Sequence, residues 1–405
     1  MKSRERVVTV LNHEEADRVP IDFGAMRSTG INAIAYGKLK AHLGIKSGKT
    51  KIYDIWQQLA MPEPVVQERF RADVLQLCRN TPNWGISINE YKPGECTDGS
   101  LALVPKDLNP VVDEDGSKRI VRDDGVTLAK LPQNGLYYEN MYHPMKDVEH
   151  TEEIDEKFSF TLISDRDLDI METQAKYMYE NTDKAILGEF IGTFYEQGQG
   201  DFGYENYYYN ISAEKELVHH YNKKLLNHYL TTLEKYLKRV GKYLNVIHFG
   251  DDLGTQVSLQ ISIDMYREMI KPYARELYSY VRENYPHIKC FMHCCGSIAP
   301  LIPEFIEIGI EVLNPVQLTA RGMDPVMLKE TFGDKISFWG GGINLSTTAT
   351  TGTAEQVEEE VRYLMNIFKK NGGFVWNHVH NIQADVPPEN VVAMYDAAYK
   401  YGKFQ

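Results

Sequence analysis

Two stretches of this chain carry side chains able to grip a metal ion. His293-Cys294-Cys295-Gly296 closes an apolar run that contains Phe291 and Met292. Side chains alternate along a strand, so His293 and Cys295 are expected on one face and Cys294 on the other. An imidazole beside a thiolate suits Zn²⁺, which takes nitrogen at about 2.0–2.1 Å and sulfur at about 2.3 Å in a tetrahedral set. Gly296 lets the chain turn tightly after them. The plainer reading makes the cysteines small buried residues and His293 a satisfied core histidine. Further on, Phe374-Val375-Trp376-Asn377-His378-Val379-His380-Asn381 alternates in the same way and ends in two histidines on one face. His380 stands at the strand end and is the candidate ligand. His378, two residues deeper, reads more simply as part of the core.

Other residues at strand ends extend the list. Asp251 and Asp252 follow an apolar run and precede Gly254. Adjacent carboxylates in a strand point opposite ways, so one of them is expected to face the site. Its role there is that of a further metal ligand, an acid/base or a hydrogen-bond partner; the alternative is a helix N-cap. Gly340-Gly341-Gly342 after Trp339 leaves room for close approach to the backbone, for a flat apolar cofactor or for loop geometry alone. Gln317 lies at another strand end and joins the glycines as a candidate cofactor contact. Tyr195, Tyr204, Tyr207, Tyr208 and Tyr209 sit in a Gly-rich stretch, read here as a long loop forming an aromatic wall or simply packing on itself. His219-His220 falls in a helical pattern and is expected at the surface.

The elements that must position these residues alternate along the chain. Apolar runs read as strands at 18–23, 72–77, 185–190, 245–251, 289–295, 311–316, 336–342 and 373–381. Helical periodicity occupies 55–69, 165–180, 213–240, 262–284, 300–308, 324–331, 354–370 and 388–401. Strand-then-helix repetition implies parallel βαβ units, and eight of them imply an α/β fold of the (β/α)8 TIM-barrel type, with an open doubly wound sheet as the alternative. No GxGxxG follows an early strand and no Walker loop occurs, which favours the barrel. In a barrel, catalytic groups come from the C-terminal strand ends, where the residues above lie. From 82 to 145 the rhythm changes: the turn pairs Asp115-Gly116, Asp124-Gly125 and Asn134-Gly135 separate short alternating runs. That pattern predicts antiparallel hairpins inserted between early strands of a single domain spanning 1–405.

Bulk properties narrow the function. The 405 residues carry a formal net charge of −13 with no basic run, which argues against a nucleic-acid partner and an anionic membrane surface. No run of 18 apolar residues occurs, and the charged start MKSRERVV is unlike a signal peptide, so a cytoplasmic protein is expected. Three of the five cysteines, Cys290, Cys294 and Cys295, fall within six residues, which in that compartment reads as metal-binding or reactive thiols.

The stretches RERVVTVLNHEEADRVPIDFG, GDDLGTQ, HCCGSI, NPVQ, FWGGGIN and HNIQADVPPENV, in this order, resemble the uroporphyrinogen decarboxylase superfamily, and more specifically its branch of zinc-dependent, corrinoid-linked methyltransferases. The resemblance implies the (β/α)8 fold, a homodimer and a zinc site. His293 and Cys295 match the first ligand pair, and His380, nine residues before Glu389, stands where that branch usually has Cys. The decarboxylase handles a polycarboxylated tetrapyrrole and places two arginines in a Met-Arg-Gln-Ala-Gly-Arg pattern. Here Met26-Arg27-Ser28-Thr29-Gly30-Ile31 keeps Arg27 and loses the second, a serious loss for bidentate carboxylate binding. The resemblance therefore implies methyl transfer between a small methylated substrate, such as an aromatic methyl ether, and a corrinoid (cobalamin) on a partner protein. Zinc would be held by His293, Cys295 and His380, with Asp251, Asp252 and Arg27 as catalytic candidates. A lyase acting on a tetrapyrrole is the alternative.

Overall fold

The computed structural model describes residues 1–404. Its centre is a seven-stranded parallel sheet of β1 (Val74–Leu77), β2 (Ala185–Ile191), β3 (Val246–Gly250), β4 (Lys289–His293), β5 (Val312–Asn314), β6 (Ser337–Trp339) and β7 (Phe374–Val375), neighbours in space in that same order. Segment 20–22 hydrogen-bonds to both edges of this curled sheet. The Asp22 amide donates to Trp376 O (3.0 Å), the Trp376 amide to Pro20 O (2.9 Å) and the Asp73 amide to Ile21 O (2.7 Å). With helices between the strands, this is a TIM-barrel-like α/β fold.

Strand alternation builds the interior in layers. Val74, Leu187, Val246, Phe291, Val312, Trp339 and Val375 form one apolar cluster, to which Val7 and Leu11 of the helix Ser3–Leu11 also belong. Two residues on from Val246, Phe291 and Val312 come His248, His293 and Asn314, which the period of two turns the same way. The polar layer therefore rests on a dry floor. Each large aliphatic or aromatic side chain in that floor stabilises the fold by about 1.5–3 kcal/mol relative to exposure.

Several elements differ from the sequence expectation. Strands β4 and β7 stop at His293 and Val375, so Cys295, His378 and His380 lie in loops beyond the sheet. The Cys295 amide bonds to a side chain instead of a neighbouring strand, and Gly296 (φ 93°) turns the chain away. The expected helix at 55–69 survives only as Pro64–Arg69; a two-residue strand, Leu59–Ala60, precedes it, paired with Ile52–Asp54. Pro62 and Pro64 lack amide donors and so cannot lie inside a helix without breaking it, though Pro64 fits at its first position. The helix at 262–284 divides into Ile263–Met269 and Lys271–Asn284 around Ile270, next to Pro272.

The Tyr-rich stretch is no loop. It forms two helices, Tyr195–Phe202 and Tyr204–Ala213, joined at Gly203 (φ 80°). Gly198 is required there, because a Cβ would fall 2.1 Å from the Tyr207 ring.

Between β1 and β2 the chain makes a two-stranded antiparallel sheet (Tyr91–Glu95 with Leu101–Pro105) and a four-stranded one (Val111–Val112, Lys118–Val121, Thr127–Leu131, Glu139–Asn140). Gly116 (φ 77°) and Gly125 (φ 88°) sit in its turns, as the Asp-Gly pairs suggested. Ile55, Leu108, Ile120, Ala129, Leu131 and Tyr138 give these strands a core of their own. Among the described residues, no helix is long and apolar enough to cross a membrane.

Candidate metal centre

The end of β4, the loop that follows it and the loop after β7 bring His293, Cys295 and His380 together. One ligand atom from each lies within 4.8 Å of the others, and the cluster could hold a metal ion. Cys295 Sγ is 3.3 Å from His293 Nε2, and the rings of His293 and His380 have centroids 5.9 Å apart. Tetrahedral bonds of about 2.0–2.3 Å place neighbouring ligand atoms roughly 3.3–3.8 Å apart. The His–Cys pair is already at that spacing.

The tautomer of His293 is set from behind. Asn314 Oδ1 lies 2.6 Å from His293 Nδ1, while Asn314 Nδ2 donates to Trp339 O at 2.7 Å. With its amide end committed to a carbonyl, Asn314 has an oxygen to offer His293, so Nδ1 carries the proton and Nε2 presents a lone pair to Cys295 and His380. Burial, then His293, lowers the pKa of His380 to about 4, so its imidazole is neutral near pH 7. Burial, then the Asp252 carboxylate, pushes the Cys295 thiol well above its ordinary range. Without a cation nothing offsets a thiolate at this position.

The two aspartates point opposite ways. Asp251 accepts the amides of Phe194 (3.0 Å), Tyr195 (2.9 Å) and Glu196 (2.8 Å), which caps the helix Tyr195–Phe202. Burial pushes its carboxyl up to about 7 against those three donors. Asp252 turns to the cluster: Oδ1 accepts the Cys295 amide at 2.6 Å and lies 3.8 Å from His293 Nε2. Glu196 Oε2 in turn accepts the Asp252 amide at 3.1 Å, and burial followed by Asp252 raises the Glu196 carboxyl well above the usual range.

The cluster opens on a cavity of about 690 Å³, lined by His293, His380, Asp252, Glu196, His248 and Arg27 among others. His380 also borders a second cavity of about 360 Å³, together with Gln317 and Gln383. Arg27 is held by Glu189 (2.9 Å) and Asp54 (3.4 Å). The insertion supplies part of the larger cavity's wall through Tyr138, Glu139 and Asn140.

Other sequence candidates are placed differently. Gly340–Gly342 border neither cavity: a Cβ on them would meet His378 O, Val316 and the Trp376 indole respectively, so close packing within the protein accounts for the three glycines. Gln317 Oε1 accepts the Gly296 amide at 2.7 Å and so braces the turn after Cys295. His378 is fully buried, its Nδ1 against His380 O, and stands outside the cluster. Of the five tyrosines only Tyr204 reaches the larger cavity; Tyr195 and Tyr207 are buried, Tyr208 bonds Gln260 and Tyr209 is exposed. His219 lies against the Tyr273 hydroxyl and His220 against Asp155.

The structure adds three residues that the sequence pattern does not single out: His248, Glu196 and Ser28, whose hydroxyl is 3.5 Å from His293 Nε2. His248 is legible in principle as a polar residue in phase with Val246.

A barrel with a soft-ligand cluster at the C-terminal ends of its strands defines an enzyme-type site. The family model for uroporphyrinogen decarboxylase (URO-D) matches residues 193–401, just over half of the chain. The chain belongs to that family. Curated relatives named uroporphyrinogen decarboxylase include one from Wolinella succinogenes, 24% identical over 261 residues (59% of this chain, 70% of the relative). Another, from Chlorobium limicola, is 23% identical over 336 residues (80% and 85%). Among solved structures, a methyltransferase from Methanosarcina mazei superposes with a TM-score of 0.58 at 14% identity, covering 99% of both chains. That likeness is one of fold.

Proposed function

We propose that this protein is a zinc-dependent methyltransferase that moves a methyl group between a small methylated substrate and a corrinoid carried by a partner protein. The observation that carries the reading is the His293/Cys295/His380 cluster, within 4.8 Å, opening on the 690 Å³ cavity. The donor set of two nitrogens and one sulfur fits zinc and leaves one tetrahedral position for substrate. Bound there, zinc would supply Lewis acidity to an ether oxygen or lower the pKa of a substrate thiol, and the corrinoid would carry the methyl.

The chain's own residues prepare that site. Asn314 keeps the lone pair of His293 Nε2 directed at the cluster. Asp252 fixes the backbone of Cys295 and offers a carboxylate beside it. Glu196 holds Asp252 through its amide and brings a second carboxyl into the cavity. The dry floor under His293 keeps water from approaching from below, which strengthens the electrostatics of the site.

Decarboxylation is the reading suggested by the names of the curated relatives. A polycarboxylated substrate needs free cations. Among the described residues, Arg27, already bound by Glu189 and Asp54, is the sole Lys or Arg on the cavity wall. Ile31, where a second arginine is expected, is buried and bridges Ile382.

Elemental analysis should find about one zinc per chain, lost in His293→Ala and in Cys295→Ala. Methyl transfer to cobalamin, followed by its absorbance, should occur with a methyl donor from a panel of ethers, thioethers and amines. Zinc retained in both variants, or no transfer from any donor, would count against the reading.

A further inference from the structure

We infer that the substrate of the 690 Å³ cavity carries a positive charge: a small methyl donor or acceptor with a reacting oxygen or sulfur at one end and an ammonium group at the other. The inference rests on the methyl-transfer reading and adds the charge class of its substrate.

The wall presents three carboxyls, Glu139, Glu196 and Asp252, and one guanidinium, Arg27. Arg27 is shared by Glu189 and Asp54, so it brings no surplus positive charge. A divalent cation at the cluster is balanced by the Cys295 thiolate and Asp252. Glu196 and Glu139 then face the cavity with no lysine beside them among the described residues, and each offers a carboxyl oxygen to an ammonium N–H. An anionic end would meet the oxygens of Asp252, Glu139 and Glu196, and the one guanidinium on the wall is already shared by two carboxylates.

Two further observations point the same way. Trp56, Tyr138 and Tyr204 line the same cavity, and aromatic faces attract ammonium groups. His248, buried at 3% exposure, also lines it, with no partner on either ring nitrogen. A buried imidazole left unpaired is costly, and an ammonium N–H is a donor for its free nitrogen.

Calorimetry on the zinc-loaded full chain with three thiols of similar length tests this: cysteamine (cationic), 2-mercaptoethanol (neutral) and 3-mercaptopropionate (anionic). The three differ in far-end charge and in thiol acidity, so each affinity is corrected for its thiol's own ionisation before the series is compared. Cysteamine should bind about tenfold or more tighter than 2-mercaptoethanol, and 3-mercaptopropionate most weakly. Glu196→Gln should reduce the cysteamine advantage to about threefold or less, each affinity being taken per zinc-loaded chain. Glu139→Gln, at an exposed position that can take the change without unfolding, should reduce it in the same direction. A flat series, or one led by 3-mercaptopropionate, overturns the inference and leaves the zinc reading standing. Failure of all three thiols to bind the folded, zinc-loaded chain overturns the methyl-transfer reading and the inference with it.

Discussion

Asn314 Oδ1 lies 2.6 Å from His293 Nδ1, and the same amide's nitrogen is spent on Trp339 O. This one side chain connects the packed end of β6 to the His293/Cys295/His380 cluster, because it decides which ring nitrogen of His293 is free. Hydrogen-bond partners standing behind a metal ligand are typically worth 10–100-fold in metal affinity. Asn314→Ala should weaken zinc binding by about that factor in a chelator competition, with the far-UV spectrum retained. Equal affinity in the two proteins would mean that His293 needs no such support.

The neighbouring aspartates should separate cleanly. Asp251 satisfies three amides at a buried helix start, and removing it strands those donors. Asp251→Ala is expected to cost about 2–4 kcal/mol in denaturant unfolding. Asp252, partly exposed and bonded to the Cys295 amide, should show the reverse pattern. Asp252→Ala should lose zinc affinity and transfer activity with a stability change within about 1 kcal/mol. Similar stability losses in both variants would dissolve the distinction.

Much of this site is legible in the residues themselves. Alternation alone indicates that only one of Asp251 and Asp252 faces the cluster. The strand rhythm carries the barrel, and the prolines and periodicity bound the helix Pro388–Tyr401 correctly. What the pattern misses has tertiary causes. Gly198 and Gly200 look like loop glycines, yet Gly198 lies in a helix because Tyr207 packs where its side chain would be. Gly340–Gly342 look open to a ligand, yet Val316, Trp376 and His378 fill their space. Alternation carried through to Cys295 extends β4 two residues too far, since the strand ends at His293. A single polar residue in an apolar strand, such as His248, resembles a core histidine until the cavity beside it is seen.

Asp201 gives a pH signature separate from the metal. Burial raises its carboxyl from 3.8 to about 6, against hydrogen bonds from Tyr221 and Gln197. Between pH 3.8 and 6 the folded state binds this proton more tightly than the unfolded chain does. The stabilisation is therefore fully present below the unfolded value and is lost as pH rises through about 6. Asp201→Asn cannot titrate, so the variant should gain on the wild type by at most about 3 kcal/mol between pH 4 and 7. Comparing the two proteins cancels the other titrating groups. A difference that does not change with pH would place the Asp201 carboxyl at an ordinary pKa.

The proposal of His380 as third ligand can be tested by exchange as well as by deletion. His380 borders both cavities and belongs to the cluster, whereas His378 is buried outside it with its Nδ1 against the His380 carbonyl. His380→Ala should release zinc, and His378→Gln should retain about one ion per chain even where stability drops. His380→Cys replaces a neutral imidazole with a group that must ionise to bind. That variant should keep the metal and release about one more proton on zinc uptake, measured calorimetrically in buffers of different ionisation enthalpy. It should also hold the ion less electrophilic, because a second thiolate adds negative charge to the set. Loss of zinc in His378→Gln with retention in His380→Ala would reassign the ligand to the deeper histidine.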